Sequence, residues 1–411
     1  MLAAAPPDRH RPWPGATRTR HGTGCLRGDP MTLTGNTQVL TATPAAAVAP
    51  APTRRSAAER LVFLDALRGF ALIFMVLNHT GRWWMDGSMR WSRYYFIYVT
   101  MAVAAPIFLF LVGFCLPLSL SRTRGASVEQ LLPTLWKYTK RGGRIILAGL
   151  LLNVLVFPED PFWSNGVLQT IGLGIIVAAP VGLFLGSTRA RALVVAAAVL
   201  IYLSFAWAFA PLTAWVGAHP VGSRILFLEF PPWPWIALVL FGLVPGELFV
   251  EQSDRRGRSR YMLVLAAAGV LCMAWLYAYD WWAQTAKPFT FMRDYILNNH
   301  WTPRGATALW VIGITFCLMA VFYYLAEVWR LRMTWLVTLG QTALFLYFIH
   351  HLIVLTLVTE HLHLKFNSWW RYGLANLLLM FLLLGLGRGW IEVKRIYRER
   401  VPPLAVVFRR A

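Results

Sequence analysis

One stretch of the chain, LDALRGFALIFMVLNH, sets three groups able to do chemistry inside an otherwise apolar run: Asp65, Arg68 and His79. Arginine holds phosphate and carboxylate oxygens through a planar fork of donors. Histidine takes up or gives a proton near neutral pH, its ordinary pKa being about 6.5. Asp65 and Arg68 are three residues apart, so on a helix they share a face and can pair. Arg68 and His79 are eleven apart. Eleven steps of about 100° return almost to the starting face, with a rise of ~16 Å. One helix face thus carries a cation near one leaflet and an imidazole near the other. Two plainer readings stand beside this: an interfacial ion pair for Asp65 and Arg68, and a His79 that snorkels to headgroups.

Other apolar runs carry polar groups at the same two depths. Asn78, Asn153, Gln169, His350 and His351 fall at one set of run ends, and Asp65, Arg68, Arg141, Arg144, Glu247, Gln341 and Arg388 at the other. Ionisable groups inside a membrane span are costly and are functional candidates by default. Two polar layers with apolar helix between them suggest a path with a cationic mouth and an imidazole-bearing chamber. Interhelical hydrogen bonding is the plainer reading for Asn153 and Gln169. His350 and His351 sit ~100° apart on a helix, so one of them is expected to face the site. His350 is favoured, three residues after Tyr347 on the same face.

The elements that must position these groups are membrane helices. Of 411 residues 57% are hydrophobic and only 14% charged, where a soluble protein carries roughly a quarter. Apolar runs near the ~20 residues that cross a bilayer predict about ten spans: 61–80, 94–118, 143–157, 165–185, 190–209, 231–250, 260–279, 306–327, 334–357 and 372–391. The expected fold is an all-α, polytopic membrane helical bundle. Lys and Arg concentrate in the even-numbered connections and after the last span, for example Lys137, Lys140, Arg189, Arg191, Arg255, Arg256, Arg330, Arg332, Lys394 and Arg395. Both termini are therefore expected to be cytoplasmic, in a multi-pass protein of the cytoplasmic (inner) membrane. Tryptophans at the opposite ends, among them Trp83, Trp84, Trp163, Trp301, Trp369 and Trp370, suggest an interfacial belt. The net charge of +21 follows this topology, which argues against nucleic acid as a partner. Residues 1–58, rich in Ala, Pro, Thr and Arg, read as a disordered cytoplasmic tail without a secretory signal, and Met31 is an alternative start. The membrane domain is taken as 59–395, with a basic tail over 396–411. Cys115, Cys272 and Cys317 lie in apolar runs and read as small core residues.

Several motifs chemistry would need are missing. No metal-ligand spacing appears, so no metal is expected; His361 and His363 beside Glu360 are a weak surface candidate. Ser119 and Ser121 lack a hydrolase elbow, and Gly142-Gly143 lacks the Walker lysine.

The phrases LDALRGFALIFMVLNH, FLFLVGFCLPLSLSR, GVLQTIG, PPWPWIALVLFGLVPGEL, NNHWTP and LGQTALFLYFIHHLIV resemble, in order, the transmembrane acyltransferase superfamily. The likeness spans roughly residues 60–395. It is to the acyltransferase-3 proteins and to the lysosomal heparan-α-glucosaminide N-acetyltransferase group with its bacterial relatives. The resemblance implies transfer of an acyl group, usually acetyl from acetyl-CoA, across the membrane to an extracytoplasmic hydroxyl or amine of a glycan, lipid or glycosylated acceptor. The R-x10-H pair of acyltransferase-3 proteins maps onto Arg68 and His79. Their basic residues at the third helix correspond loosely to Arg141 and Arg144, at a different spacing. The lysosomal group carries its histidine in the loop after the first helix; that loop here, residues 80–93, has none, so His79 would fill the role from the helix.

Acyl transfer needs a base, a held thioester and an oxyanion donor. His79 suits the base, or alternatively a nucleophile that forms an acyl-imidazole. Asn78, Gln169 or Asn153 could donate to the oxyanion. Asp65, Arg68, Arg141 and Arg144 are the expected acyl-CoA site, the arginines holding its phosphates. A transporter or lipid exporter also uses polar groups at two depths, though no internal repeat is evident. A non-catalytic scaffold gives Arg68 and His79 no reason to share a face. The acceptor, the acyl length and the oligomeric state, a homodimer included, stay open at this point.

Overall fold

The computed structural model describes residues 61–90, 103–123, 126–217, 219, 230–283 and 305–400. The expected tail over residues 1–58, the alternative start Met31, the NNHWTP phrase and Trp301 lie outside them. Among the described residues the principal helices are α1 (Val62–Trp84), α2 (Ala104–Leu120), α3 (Val128–Val156), α4 (Val167–Gly182), α5 (Thr188–Gly217), α6 (Pro232–Val250), α7 (Arg255–Ala283), α8 (Gly305–Tyr323), α9 (Thr334–Gln341), α10 (Ala343–His351) and α11 (Trp369–Arg400). Helices α8 and α10 run on as π-helix over Tyr324–Val328 and Leu352–His361. Among the described residues there is no strand, only an isolated bridge between Met85 and Phe366.

Apolar runs become helices in a bilayer because only intrasegment hydrogen bonds satisfy the backbone there. Seven helical segments among the described residues are long and apolar enough to cross a membrane; Ala104–Leu120 and Val167–Gly182 are apolar but shorter. The protein is an all-α polytopic bundle, and each expected span overlaps a described helix, the second (94–118) only from Ala104 onward, residues 94–102 lying outside the described ones. Their outer surfaces are apolar: Leu374, Leu377, Leu378 and Phe381 of α11 are all exposed, spaced as a lipid-facing stripe.

The ninth expected span is not continuous. It breaks at Thr342 (φ −111°, ψ 11°), whose hydroxyl donates to the Thr338 carbonyl. The apolar run around this point hides the break from a hydropathy reading. Irregular backbone at membrane depth is tolerated where it borders a cavity, and Gly340 and Gln341 at the break line one.

Helix α1 is central, packing against α2, α8, α9, α10 and α11. Its approach to α9 is a backbone contact: a Cβ on Gly340 would overlap the Asp65 carbonyl, and one on Gly69 the Leu336 carbonyl. Small residues allow this intimacy, which in lipid replaces the hydrophobic drive between helices. The far end of α1 is tied to α11 and to the segment before it. Thr80 donates to Asn376 Oδ1 at 2.7 Å and meets the Tyr372 hydroxyl at 3.0 Å. Phe366 N donates to the Trp84 carbonyl at 2.7 Å. Trp84 itself corrects the aromatic-belt expectation: it is 3% exposed and its indole donates to the Val354 carbonyl. Trp163 and Trp370 are exposed, as a belt requires.

Candidate functional site

Arg68 lies two turns into α1, one turn after Asp65. Its guanidinium donates to Asp65 Oδ1 at 3.1 Å and to Cys115 Sγ of α2 at 2.9 Å. The Asp65 carboxylate is thereby anchored although 4% exposed. As a residue of an apolar run Cys115 is expected in ordinary core; it instead borders a cavity that also holds charged groups. That cavity, about 460 Å³, is lined by Asp65, Arg68, Cys115, Ser119, Arg141, Arg144, Gln341 and Tyr347, with apolar walls from α2, α3 and α4.

The amphipathic α3 supplies Arg141 and Arg144. On a neighbouring face Gly142 and Gly149 let α4 approach closely: a Cβ on Gly142 would lie 2.5 Å from the Gly172 carbonyl. Both arginines are exposed. Neither makes an ion pair with a carboxylate among the described residues, so their donors face the cavity mouth uncommitted. The expected cation cluster of Arg68, Arg141 and Arg144 is therefore brought together. Glu247, expected in the same layer, is not part of it. It is 1% exposed and lies 4.0 Å from Arg191, which also pairs with Glu251, so it joins α5 to α6.

His79 lies near the opposite end of the same helix, and two histidines of α10 meet it. His79 Nδ1 is 2.9 Å from His350 Nε2, with the rings 5.1 Å apart and within 10° of parallel. His351 lies against both, with centroids 4.6 Å from His79 and 4.2 Å from His350. The expectation that only one of the pair faces the site is thus corrected. Helical side chains lean toward the N-terminus. Both rings use that lean to reach the carbonyl four residues back: His350 Nδ1 to Leu346 at 2.9 Å and His351 Nδ1 to Tyr347 at 2.8 Å. Adjacent positions so held both reach the His79 ring.

These contacts set the tautomers. A carbonyl oxygen only accepts, so Nδ1 of His350 and of His351 each carry a proton. His350 Nε2 is then an acceptor, and His79 must donate to it from Nδ1. The basic nitrogen of His79 is left as Nε2.

A second, smaller cavity of about 50 Å³ opens beside this cluster, lined by His79, Arg82, Trp83, Asn153, Phe157, Gln169, Tyr347 and His351, among others. Both Asn153 amide hydrogens are engaged, by the Phe162 carbonyl at 3.0 Å and the Ser164 carbonyl at 2.6 Å. This is the structural role weighed for Asn153. Gln169 gives one hydrogen to the Ser164 carbonyl at 3.2 Å and keeps a second. Asn78 is half-buried and lines neither cavity.

Tyr347, Val167 and Leu168 line both cavities and form the wall between them. Tyr347 meets His350 edge-on, at 5.6 Å between centroids, and lies 4.7 Å from His351. It sits between the arginine cavity and the imidazoles.

Comparison with known proteins adds one match. Residues 60–279, just over half of the chain, match the family model described as heparan-alpha-glucosaminide N-acetyltransferase, catalytic. No curated protein matches the chain.

Proposed function

The chain belongs to the heparan-alpha-glucosaminide N-acetyltransferase catalytic family of membrane-embedded acetyltransferases, and from that premise we propose a transfer path running along α1. Acetyl-CoA binds at the arginine cavity, its phosphates on Arg68, Arg141 and Arg144. The thioester reaches toward the Tyr347 wall. A hydroxyl or amine of an extracytoplasmic sugar or lipid acceptor enters from the histidine side. With both termini cytoplasmic, as the basic connections favour, the donor comes from the cytoplasm and the product forms on the other side.

In this reading His79 Nε2 accepts the proton of the acceptor O–H or N–H as the acceptor attacks the thioester carbonyl. The C–S bond breaks as the new C–O or C–N bond forms. The leaving CoA thiolate takes the proton back from His79. His350 is a positioning residue: it accepts from His79 Nδ1 and so keeps Nε2 basic and aimed, as the second partner of a catalytic histidine does. Gln169, with its remaining amide hydrogen, is the favoured donor to the oxyanion.

The observation that carries this reading is the shared wall of Tyr347, Val167 and Leu168, which brings a three-arginine cavity against a histidine with an assigned basic nitrogen. Purified protein given labelled acetyl-CoA and a glucosaminide should form acetylated product and release CoA. Wild type that neither binds CoA nor forms product would rule the reading out. The break in the ninth span favours the alternative of a small-molecule or lipid transporter, since discontinuous helices mark transporter sites. That alternative predicts acceptor movement without CoA release.

A further inference from the structure

We propose that His79, His350 and His351 form a binding site for a divalent transition-metal cation of the zinc class, reached from the small cavity beside them. One ring nitrogen from each of the three lies within 4.8 Å of the other two. His350 is fully buried and His351 3% exposed. Both give their Nδ1 proton to a backbone carbonyl, at 2.9 and 2.8 Å. This is the outer-sphere contact that metal-binding histidines make, and it leaves Nε2 of each ring as the nitrogen able to ligate.

His79 Nδ1 already meets His350 Nε2 at 2.9 Å, and the His351 ring lies against both, 4.6 Å from His79 and 4.2 Å from His350 between centroids. A metal ion at the centre would take a lone pair from each ring: His350 and His351 through Nε2, and His79 through Nδ1 once its proton has moved to Nε2. Zinc takes neutral imidazole nitrogens at ~2.0–2.1 Å, which separates tetrahedral ligands by roughly 3.3 Å. The 2.9 Å contact between His79 and His350 must therefore open by a few tenths of an ångström, and separations of up to 4.8 Å within the cluster must close toward the same value, by rotation of the rings about their side-chain bonds. Three imidazoles leave a fourth position. The adjoining cavity of about 50 Å³ has room for a water or a small anion there. All-nitrogen ligation suits zinc, copper or nickel over magnesium or calcium. No sequence motif announces such a site, because its ligands come from α1 and α10, 271 positions apart.

Occupancy would draw the His79 ring into coordination and so compete with transfer. That consequence rests on the proposed function; the binding itself does not. The test is therefore made without acyl donor. Full-length protein in detergent is stripped with chelator and titrated calorimetrically with zinc, then with cobalt to record the ligand-field spectrum. The wild type should take up one equivalent, with a tetrahedral cobalt spectrum. His351→Asn should lose that equivalent. The double variant His361→Ala, His363→Ala, which removes the exposed histidines near Glu360, should keep it. No uptake by folded wild type would show that the cluster holds only a proton and would overturn the proposal. Uptake retained in His351→Asn and lost in the surface double variant would overturn it equally.

Discussion

His79 and His350, on helices α1 and α10, face each other with Nδ1 and Nε2 2.9 Å apart and ring planes within 10°. The His350 ring is fixed in turn by the Leu346 carbonyl. A three-member chain of carbonyl, imidazole and imidazole thus decides which nitrogen of His79 is basic.

Removing the base should cost more than removing its support. His79→Ala should lower kcat by about 10²–10⁴-fold, the usual range for a positioned general base. His350→Ala should lower kcat by less, with KM for acetyl-CoA unchanged. The double variant should be no slower than His79→Ala, because residues acting as one unit are not additive. Steady-state kinetics on the three variants checks this; additive losses would separate the two histidines.

Arg141 and Arg144 should govern donor binding. Arg141→Gln and Arg144→Gln should each raise KM for acetyl-CoA roughly 10-fold, the equivalent of one charge-assisted hydrogen bond of about 1.5 kcal/mol, with kcat little changed. Arg68 is a less clean probe, since its loss also strips the buried Asp65 of a donor. CoA binding measured at several salt concentrations would show the phosphate contribution weakening as salt rises.

Tyr347 should limit the acyl group. Tyr347→Ala removes most of the wall between the cavities and should admit longer acyl-CoA donors such as butyryl-CoA. Tyr347→Phe keeps the ring and should keep the wild-type preference. The ratio of kcat/KM for butyryl against acetyl donor is the measurement, and an unchanged ratio in Tyr347→Ala counts against a wall at this position.

Gly340 should be intolerant of any side chain. Gly340→Ala forces a methyl onto the Asp65 carbonyl and should destabilise the protein by about 1–3 kcal/mol. Gly373→Ala, with nothing within 4 Å of the new atom, should be near neutral. Thermal unfolding in detergent distinguishes the two.

The spans were legible because apolar runs of bilayer length have few alternatives. The break at Thr342 was not, since a single polar pair, Gln341 and Thr342, leaves the run's hydropathy high. Arg68 and His79 were legible from an eleven-residue spacing on one helix. His351 was missed because a helical wheel places it ~100° from His350 and takes no account of how far a ring reaches. Its Nδ1 contact with the Tyr347 carbonyl turns it back toward His79. Cys115 looked like core because its neighbours are apolar; only the fold brings Arg68 to its sulfur. Trp84 was placed in a belt by its position at a span end, whereas the π-helical segment covers it and offers it the Val354 carbonyl.

The most direct measurement uses sealed proteoliposomes with labelled acetyl-CoA confined to one side and a glucosaminide to the other. Wild type should build up acetylated glucosaminide on the acceptor side while CoA is released on the donor side. His79→Ala, folded and still binding CoA, should do neither. Equal product from His79→Ala, or acceptor crossing the membrane unacetylated with no CoA released, would contradict transfer through His79.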